Sequence, residues 1–291
     1  MVKSNRVGTS VAAFDARFPD SDACLNHLLR VRFGEFPACP GCGCPTKFLK
    51  VRGRNRYISS CCFNESINPA TGTIFSRTRI PLLDWFRCIL YFTNSSSGIS
   101  ISFVMRHFGL SKKAAFRINK KIRSHFREID SNIKLGKSNF VYIDEAKIKN
   151  VASNNERRMT PVRLLVAFDG DDIFSFPLPK GRMKSVSKSM FEKFSDNSNL
   201  IIRNDALYKK LTGYRISKTK HNHPIFVSDN SDSSNFNHID SYVIKLKQFI
   251  FGSHLWISER YIDDYIAHFN FIYRRRNSGS SIFCEAISKF Y

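Results

Sequence analysis

The sequence lacks two features that place many chains in a membrane or outside the cell. None of its apolar runs approaches the roughly 20 residues that a membrane-spanning helix needs. Its first residues, Met-Val-Lys-Ser-Asn-Arg, contain no apolar secretory core. We therefore expect a soluble, intracellular protein without a membrane partner, associated with the nucleoid in a bacterium or nuclear in a eukaryote. The spacing of serines and cysteines also gives no support to a nucleophilic triad.

Acidic residues are scarce relative to basic ones. The 291 residues include 24 Asp and Glu against 46 Lys and Arg, which gives a net charge of +22. The excess is concentrated in residues 1–143, which hold 23 basic and 8 acidic residues, whereas residues 144–291 hold 23 and 16. Such an imbalance favours a polyanionic partner, of which nucleic acid is the commonest. The alternative is a basic protein whose charge serves only its solubility.

The composition otherwise indicates a globular protein. Hydrophobic residues make up 42% of the chain and include 27 Phe, which excludes a disordered chain and predicts a substantial core. The length allows one large domain with small modules. Eight cysteines in a chain of this length, without a secretory signal, do not indicate a disulfide framework.

Residues 37–78 are predicted to form a zinc ribbon. Cys39 and Cys42 are separated by two residues, and the neighbouring glycines allow the tight turn that directs both thiolates at one ion. This half of a Zn²⁺ site predicts a second pair of cysteines after a hairpin. The alternative is a ribbon that has lost its ion and is held by apolar contacts.

The second half of the zinc site is irregular. Lys47–Tyr57 has the pattern of a hairpin, and the adjacent residues Cys61 and Cys62 follow it in place of a second Cys-x-x-Cys. A tetrahedral site could use one or both of them, and Cys44 is a further candidate. The fourth zinc ligand therefore stays open.

Residues 79–130 have the pattern of a helix-turn-helix. An apolar helix from Pro81 to about Phe92 precedes a shorter helix over 100–108, a turn at Gly109 and a long helix capped by Ser111. In this motif the second helix enters the major groove of DNA. The alternative is an ordinary solvated basic helix. Six residues of the long helix are candidates for contact with phosphates: Lys112, Lys113, Arg117, Lys120, Lys121 and Arg123.

Residues 136–280 have the pattern of an α/β domain. Strand-like runs are followed by amphipathic helical patterns, namely 139–144, 162–168, 173–178 and 199–204, then 238–251 and 258–273. Such a domain has its site at the strand ends. Asp144 and Asp205 each end a strand-like run, and Asp240 opens a helical pattern. Carboxylates held on a rigid frame are ligands for Mg²⁺, which in a basic chain is suited to DNA phosphates.

Short motifs occur in a fixed order over most of the chain. The first half holds Cys24-Leu-Asn-His-Leu-Leu, Cys39-Pro-Gly-Cys42-Gly and Thr71-Gly-Thr-Ile-Phe75. The second half holds Ile143-Asp144-Glu145, Asn204-Asp205-Ala-Leu-Tyr208 and Asn237-His-Ile-Asp240. This succession resembles that of the zinc-ribbon insertion-sequence transposases of the DDE type, whose eukaryotic relatives are the Merlin elements. The resemblance implies an RNase H-like catalytic domain and DNA transposition by phosphoryl transfer.

The resemblance also implies roles for individual residues. Two metal ions, Mg²⁺ or Mn²⁺, would activate the nucleophile and stabilise the leaving oxygen. Asp144 would bridge both ions, Asp205 would bind one, and Asp240 would supply the third carboxylate, with Asn237 one turn earlier as a neutral ligand or substitute. Lys247 lies two turns after Asp240 on the same helix face, where it would hold a DNA phosphate. The alternative for Lys247 is a surface lysine with no role.

The predicted fold is thus α/β, with an RNase H-like catalytic domain preceded by a small zinc ribbon and a helix-turn-helix. The expected order is a helical segment (1–36), the ribbon (37–78), the helix-turn-helix (79–130), the catalytic domain (136–280) and a tail (281–291). Within the first segment, residues 22–33 should form a helix with Asp22 as N-cap.

The leading functional hypothesis is a transposase that binds terminal inverted repeats, cleaves and joins DNA strands, and forms a homo-oligomer when two ends are paired. Two alternatives stay open. One is a catalytically inactive DNA-binding descendant, which is suggested by the irregular cysteine pair and by Asp240 at a position where the family has Glu. The other is a structure-specific nuclease or resolvase on the same fold.

Overall fold

The computed structural model describes ten stretches of the chain, namely residues 9–62, 65–137, 139–152, 159–178, 192–195, 198–203, 225–227, 233–254, 257–277 and 281–290. The chain forms two compact units. The first comprises Met1–Ser95, Ile101–His125 and Arg276–Tyr291, and the second comprises Ser96–Ser100 and Phe126–Arg275. Within the described stretches, no helix is long and apolar enough to cross a membrane.

The helix predicted over 22–33 is present in the first unit as α2, Ser21–Phe33, after a shorter helix α1, Val11–Arg17. Its N-cap is Asp20 and not Asp22: the Asp20 carboxylate accepts a hydrogen bond of 2.8 Å from the backbone N–H three residues later. Asp22 lies inside the first turn instead, where its charge complements the helix dipole. Gly34 ends the helix with a φ of 79°.

The ribbon region forms a three-stranded antiparallel sheet. Its strands are β1, Phe48–Lys50, β2, Tyr57–Ser59, and β3, Ser66–Ile67. β1 and β2 form the predicted hairpin, in which the partners run from Phe48 opposite Ser59 to Lys50 opposite Tyr57. The sheet is too small to bury a core of its own, which is the usual reason for a metal clip in such a module.

Three helices follow the ribbon in the order that the sequence predicts. They are α3, Leu82–Asn94, α4, Ile101–Phe108, and α5, Lys112–Ile129. Gly109 makes the turn between α4 and α5 with a φ of 61°, a left-handed conformation that favours glycine. The hydroxyl of Ser111 accepts a hydrogen bond of 3.3 Å from the N–H of Ala114, so it caps α5 as expected.

Aromatic side chains form much of the core of the first unit. The predicted tail, residues 281–291, contributes to it through a short helix, Ile282–Ala286. Phe283 of that helix is fully buried, and its ring centroid lies 5.5 Å from that of Phe14 in α1. The end of the chain is therefore part of the core of this unit.

The second unit is built on a mixed six-stranded sheet. Its strands are β4, Phe140–Ala152, β5, Met159–Phe168, β6, Ile173–Leu178, β7, Asn199–Ile202, β8, Ile225–Val227, and β9, Ile257–Ser258. They are arranged in the order β6-β5-β4-β7-β8, with β9 paired to one end of β4. β5 is antiparallel to both β4 and β6, whereas β7 is parallel to β4 and β8 is parallel to β7. β4 is therefore the central strand.

The two faces of the sheet have different environments. On one face, apolar side chains from four strands form a buried cluster that includes Val141, Ile143, Leu165, Phe176 and Ile202. The side chains of β4 alternate between the faces, so Tyr142 and Asp144 lie on the other one. There the ring of Tyr142 contacts that of Phe236 at 5.8 Å, which shows that a helix covers this face.

That helix is α6, Ser233–Ser253. A second long helix, α7, Ile262–Arg274, follows it after β9 and a 3₁₀ turn, Glu259–Tyr261. Both confirm the helical patterns in the sequence. Tyr242 of α6 is fully buried, and its hydroxyl is hydrogen-bonded to Ser175 of β6 (2.6 Å) and to Asn270 of α7. This polar network fixes the rotation of α6 about its own axis.

A second buried network in this unit consists of ion pairs around Arg274 and Arg275. The carboxylate of Asp130 is 3% exposed and lies 2.8 Å from Arg275 and 3.3 Å from Arg274. Arg274 also pairs with Asp172 at 2.9 Å, in the turn between β5 and β6. Arg274 and Arg275, at the end of α7, therefore have a structural role in this unit.

The structure confirms a mixed α/β architecture with a mixed sheet. The strand predicted over 199–204 is present as β7, but its last predicted residue, Asn204, lies outside the described residues. β8 has no counterpart in the sequence prediction, because only three residues pair at the sheet edge.

Candidate functional sites

Four cysteines of the first unit come together in one cluster. The Sγ atoms of Cys39, Cys42, Cys61 and Cys62 all lie within 4.8 Å of one another. Four thiolates around a tetrahedral Zn²⁺, with bonds of about 2.3 Å, stand about 3.8 Å apart, and the pair Cys42–Cys61 is at 3.5 Å. The cluster thus has the number, chemistry and spacing of ligands that a structural zinc ion requires.

Ser59 explains how two adjacent cysteines reach the same point. Its buried hydroxyl oxygen accepts hydrogen bonds of 3.3 Å from the backbone N–H groups of both Cys61 and Cys62, which folds the chain back after β2. The same hydroxyl lies 3.1 Å from the sulfur of Cys61. Hydrogen bonding from Ser59 is also the main cause that lowers the pKa of Cys39 to about 6. A single serine therefore positions Cys61 and Cys62 and, by hydrogen bonding, lowers the pKa of Cys39 and of Cys61.

The cluster shows which cysteines are placed to hold a metal ion together. Cys61 and Cys62 both belong to it, whereas Cys44 is exposed and stands outside it. The carbonyl oxygen of Cys44 accepts a hydrogen bond of 2.9 Å from the N–H of Cys39, so its backbone closes the knuckle while its thiol stays outside.

The acidic site of the second unit centres on Asp144 of β4. Its side chain is 14% exposed, and one carboxylate oxygen accepts a hydrogen bond of 2.7 Å from the N–H of Glu145. Glu145 itself points to the opposite face of the strand, where it pairs with Arg163 at 3.7 Å. Asp144 is therefore the carboxylate that this strand presents beneath α6.

Asp240 of α6 and Asp144 of β4 meet at one guanidinium. Nη2 of Arg203 donates a hydrogen bond of 3.0 Å to Oδ2 of Asp240. Its Nε lies 2.9 Å from Oδ2 of Asp144, without the alignment of a hydrogen bond, so that contact is ionic. Arg203 is held in turn by the carbonyl oxygen of Phe236 at 3.1 Å and by the face of its ring.

The electrostatics of Asp144 reflect this environment. Burial raises the pKa of Asp144 above its ordinary value, and the charge of Arg203 partly opposes that rise. The nearby carboxylates Asp240 and Glu145 raise it further. The Arg203 guanidinium is thus the positive charge that keeps a largely buried carboxylate compatible with ionisation.

The other predicted members of the site differ in their exposure, and one of them is not among the described residues. Asn237 lies three residues before Asp240 in α6, so it shares that helix face, and it is exposed. Lys247 is partly exposed and follows Asp240 by two turns. Asp205, the predicted second carboxylate, lies outside the described residues.

Sequence reasoning missed Arg203, although the sequence and strand register contain the necessary signal. β4 and β7 are parallel neighbours with Ile143 opposite Ile202, and Ile202 faces the apolar cluster. The next residue of each strand, Asp144 and Arg203, must therefore lie side by side on the other face. The available clue was the position of Arg203, which directly follows an apolar strand and precedes the candidate carboxylate Asp205 by two residues.

The basic helix α5 divides into exposed and buried cations. Lys112, Lys113, Arg117 and Lys120 are exposed. Arg123, in contrast, is only 3% exposed and lies over the ring of Phe92. Lys121 donates hydrogen bonds to the carbonyl oxygens of Ile74 (2.7 Å) and Ser76 (3.3 Å). We therefore assign Arg123 and Lys121 to the packing of the unit, whereas the other four predicted residues are accessible to solvent.

Comparison with known proteins adds no family to this description. The chain matches no protein-family model, and no curated protein gives a significant match.

Proposed function

We propose that this protein is a DNA transposase of the DDE type, which binds the ends of its element and catalyses DNA strand cleavage and strand transfer. The observation that carries the proposal is the convergence of Asp144 and Asp240 on one cationic group. The two residues are 96 positions apart in the sequence, on a central strand and a covering helix. Their proximity supports the functional interpretation that we drew from the order of the sequence motifs.

The fold supports the proposal at a coarser level. The mixed sheet carries Asp144 on its central strand, and the helix that covers it carries Asp240. This arrangement is compatible with the proposed RNase H-like catalytic domain. β4 is paired with β5 on one side and with β7 on the other, which gives the strand that carries Asp144 the rigidity that a catalytic metal ligand requires.

The donor atoms in this site fit a divalent cation. Two carboxylates already converge on the same positive charge, and carboxylate oxygens are the ligands that Mg²⁺ prefers. Asp144 and Asp240 would hold the ion, and Asp205 and Asn237 are proposed to complete the set. When bound, Mg²⁺ or Mn²⁺ supplies electrostatic stabilisation to the phosphodiester and lowers the pKa of water.

Residues of the chain have their own proposed tasks beside the ion. Lys247, on the same face of α6 as Asp240, would hold a phosphate of the DNA as a point charge. The exposed cations of α5 would bind the backbone of the element ends, and Zn²⁺ in the cysteine cluster would stabilise the ribbon. Pairing of two ends would require a homo-oligomer.

The test is cleavage of the ends of the element by the purified full chain with Mg²⁺ or Mn²⁺. Wild type should nick or join this DNA, and Asp144→Ala should reduce the rate at least about 100-fold, because the site then loses several kcal/mol of transition-state stabilisation. Glu145→Gln is the matched control: it removes the adjacent carboxylate, which faces away from Asp240. If wild type cleaves no faster than Asp144→Ala, the enzymatic proposal is wrong.

One observation favours a second candidate function, a catalytically inactive DNA-binding protein. Arg203 already neutralises both carboxylates, so the pair is satisfied without an ion. This candidate predicts salt-dependent binding to the end DNA that Asp144→Ala leaves unchanged, together with no cleavage by wild type.

A further inference from the structure

A cleft of about 340 Å³ in the first unit is lined by four cationic side chains. Arg77 and Arg79 belong to the segment before α3, and Arg117 and Lys121 belong to α5. The indole of Trp85 also lines it. None of the described residues that line the cleft is acidic. Arg77 and Arg79 are exposed, and neither forms an ion pair with a described acidic side chain.

The segment that carries the two arginines is firmly attached to the helices. The ammonium group of Lys121 is hydrogen-bonded to the carbonyl oxygens of Ile74 and Ser76, immediately before Arg77. Thr78 accepts hydrogen bonds from the indole N–H of Trp85 (3.2 Å) and from the N–H of Ile80 (3.1 Å). The backbone on both sides of Arg77 is thus anchored to α5 and α3, so its side chain extends from a fixed frame.

The backbone of Arg77 is itself unusual. Its φ is 53°, in the left-handed region that favours glycine. Among the described residues other than glycine, only Asn139 shares a positive φ, and asparagine tolerates it better than arginine does. Strain of this kind persists where a side chain is needed for function. Since the Arg77 side chain is exposed, packing gives no reason for an arginine at this position.

The charges of the cleft are mutually repulsive in the free protein. Arg117 and Lys121 lie one turn apart on α5, and burial together with the charge of Arg117 lowers the pKa of Lys121. A polyanion in the cleft would relieve this repulsion. Arginine pairs with phosphate oxygens through two parallel hydrogen bonds, and Lys113 and Lys120 continue the exposed positive surface along the same helix.

We propose that the cleft between the segment Arg77–Ile80 and α5 binds the phosphate backbone of DNA, with Arg77, Arg79 and Arg117 as the contacting residues. This inference rests on the proposed function, in that DNA is the polyanion. It adds to the basic helix a second, sequence-independent set of contacts, which positions the duplex without reading its bases.

The test is binding of a fluorescent duplex of about 30 base pairs of mixed sequence, measured by anisotropy over a range of salt concentrations. Arg77→Gly with Arg79→Ala should weaken binding by about tenfold or more and should reduce the slope of log K against log salt by about 2, since two phosphate contacts are lost. The matched control is Arg52→Ala with Arg54→Ala, which removes the same charge from exposed residues of the ribbon hairpin. The control should stay within about threefold of wild type.

Thermal unfolding of Arg77→Gly provides a second, independent measurement. Because glycine adopts the left-handed conformation without strain, this variant should unfold at the same or a higher temperature than wild type while it binds DNA more weakly. A lower unfolding temperature would make Arg77 a structural residue and would overturn the proposal.

The remaining outcomes separate the two proposals. If wild type binds the duplex and the cleft variant binds equally well, or if the cleft and control variants lose equal affinity, the cleft is not the site although DNA binding stands. If wild type shows no salt-dependent binding to the duplex, the DNA partner itself is wrong and the cleft proposal is overturned with it.

Discussion

The ion pairs of Arg203 make Arg203→Gln the most informative substitution in the second unit. Glutamine retains a polar, although shorter, side chain and removes the charge that faces Asp144 and Asp240. We expect three linked effects: a lower free energy of unfolding at neutral pH, recovery of stability as the pH falls, and a new stabilisation by divalent cations.

The expected loss follows from the geometry. Opposite charges 2.9 Å apart attract by about 6 kcal/mol at an effective dielectric constant of about 20, before the cost of desolvation is subtracted. The Arg203 side chain is 34% exposed, which weakens the interaction, and the Asp240 partner is 49% exposed and adds little. The net loss should be about 2 kcal/mol, or roughly 4–8 °C in the unfolding temperature of a unit of this size.

The pH dependence has a definite sign. Burial already raises the pKa of Asp144, and removal of the Arg203 charge raises it further. The folded variant then holds its proton at pH values where the unfolded chain has lost it. Lowering the pH through that raised pKa therefore favours the folded state. The deficit relative to wild type should be full at neutral pH and should shrink as Asp144 is protonated.

The assay is thermal or urea unfolding at several pH values, with and without Mn²⁺. At a Mn²⁺ concentration about ten times its dissociation constant, binding to the two freed carboxylates should restore about 1.4 kcal/mol to the variant. The control is Arg163→Gln, which breaks the longer pair with Glu145 at 3.7 Å, where the arginine is 42% exposed; its cost should be about 0.5 kcal/mol or less. If Arg203→Gln is as stable as this control and indifferent to Mn²⁺, the account of the acidic site is wrong.

Two further predictions concern the structural clusters. Wild type should bind one Zn²⁺ per chain, and chelation should lower the unfolding temperature of the first unit. In competition with a chromogenic chelator, Cys62→Ser should abolish stoichiometric binding, whereas Cys44→Ser should not. Ser59→Ala should weaken zinc affinity by roughly 10-fold or more. Asp130→Asn should cost about 3–5 kcal/mol in urea unfolding, because the buried Arg274 and Arg275 lose the carboxylate that they share, and a cost below about 1 kcal/mol would contradict the structural role of this network.

Local patterns predicted most helices and strands of the described residues, because local rules govern them, although the strand predicted to end at Asp144 continues to Ala152. The glycine turn and the serine cap of α5 and the hairpin of the ribbon each depend on residues that are close in the sequence. The cysteine cluster was predictable in part, since the Cys39 knuckle is local. The participation of adjacent cysteines was not, because it depends on the backbone turn that Ser59 organises.

Contacts between distant segments were harder to predict. The meeting of Asp144 with Asp240 was inferred from the order of motifs and not from any pairing rule. Arg203 was missed because its position follows only from the parallel register of β4 and β7. The separation of the α5 cations into exposed and buried ones likewise depends on which surfaces α3 and its neighbours cover, and helical periodicity alone does not supply that information.

The buried hydroxyl of Tyr242 has a consequence for the evolution of the site. Because hydrogen bonds to Ser175 and Asn270 fix the rotation of α6, the backbone of Asp240 stays in place when its own side chain changes. An exchange between Asp and Glu at this position would alter the reach of the carboxylate by one methylene group without repacking the helix. A lineage could therefore change the reach of this carboxylate by a single substitution, while the fold that carries it is inherited unchanged.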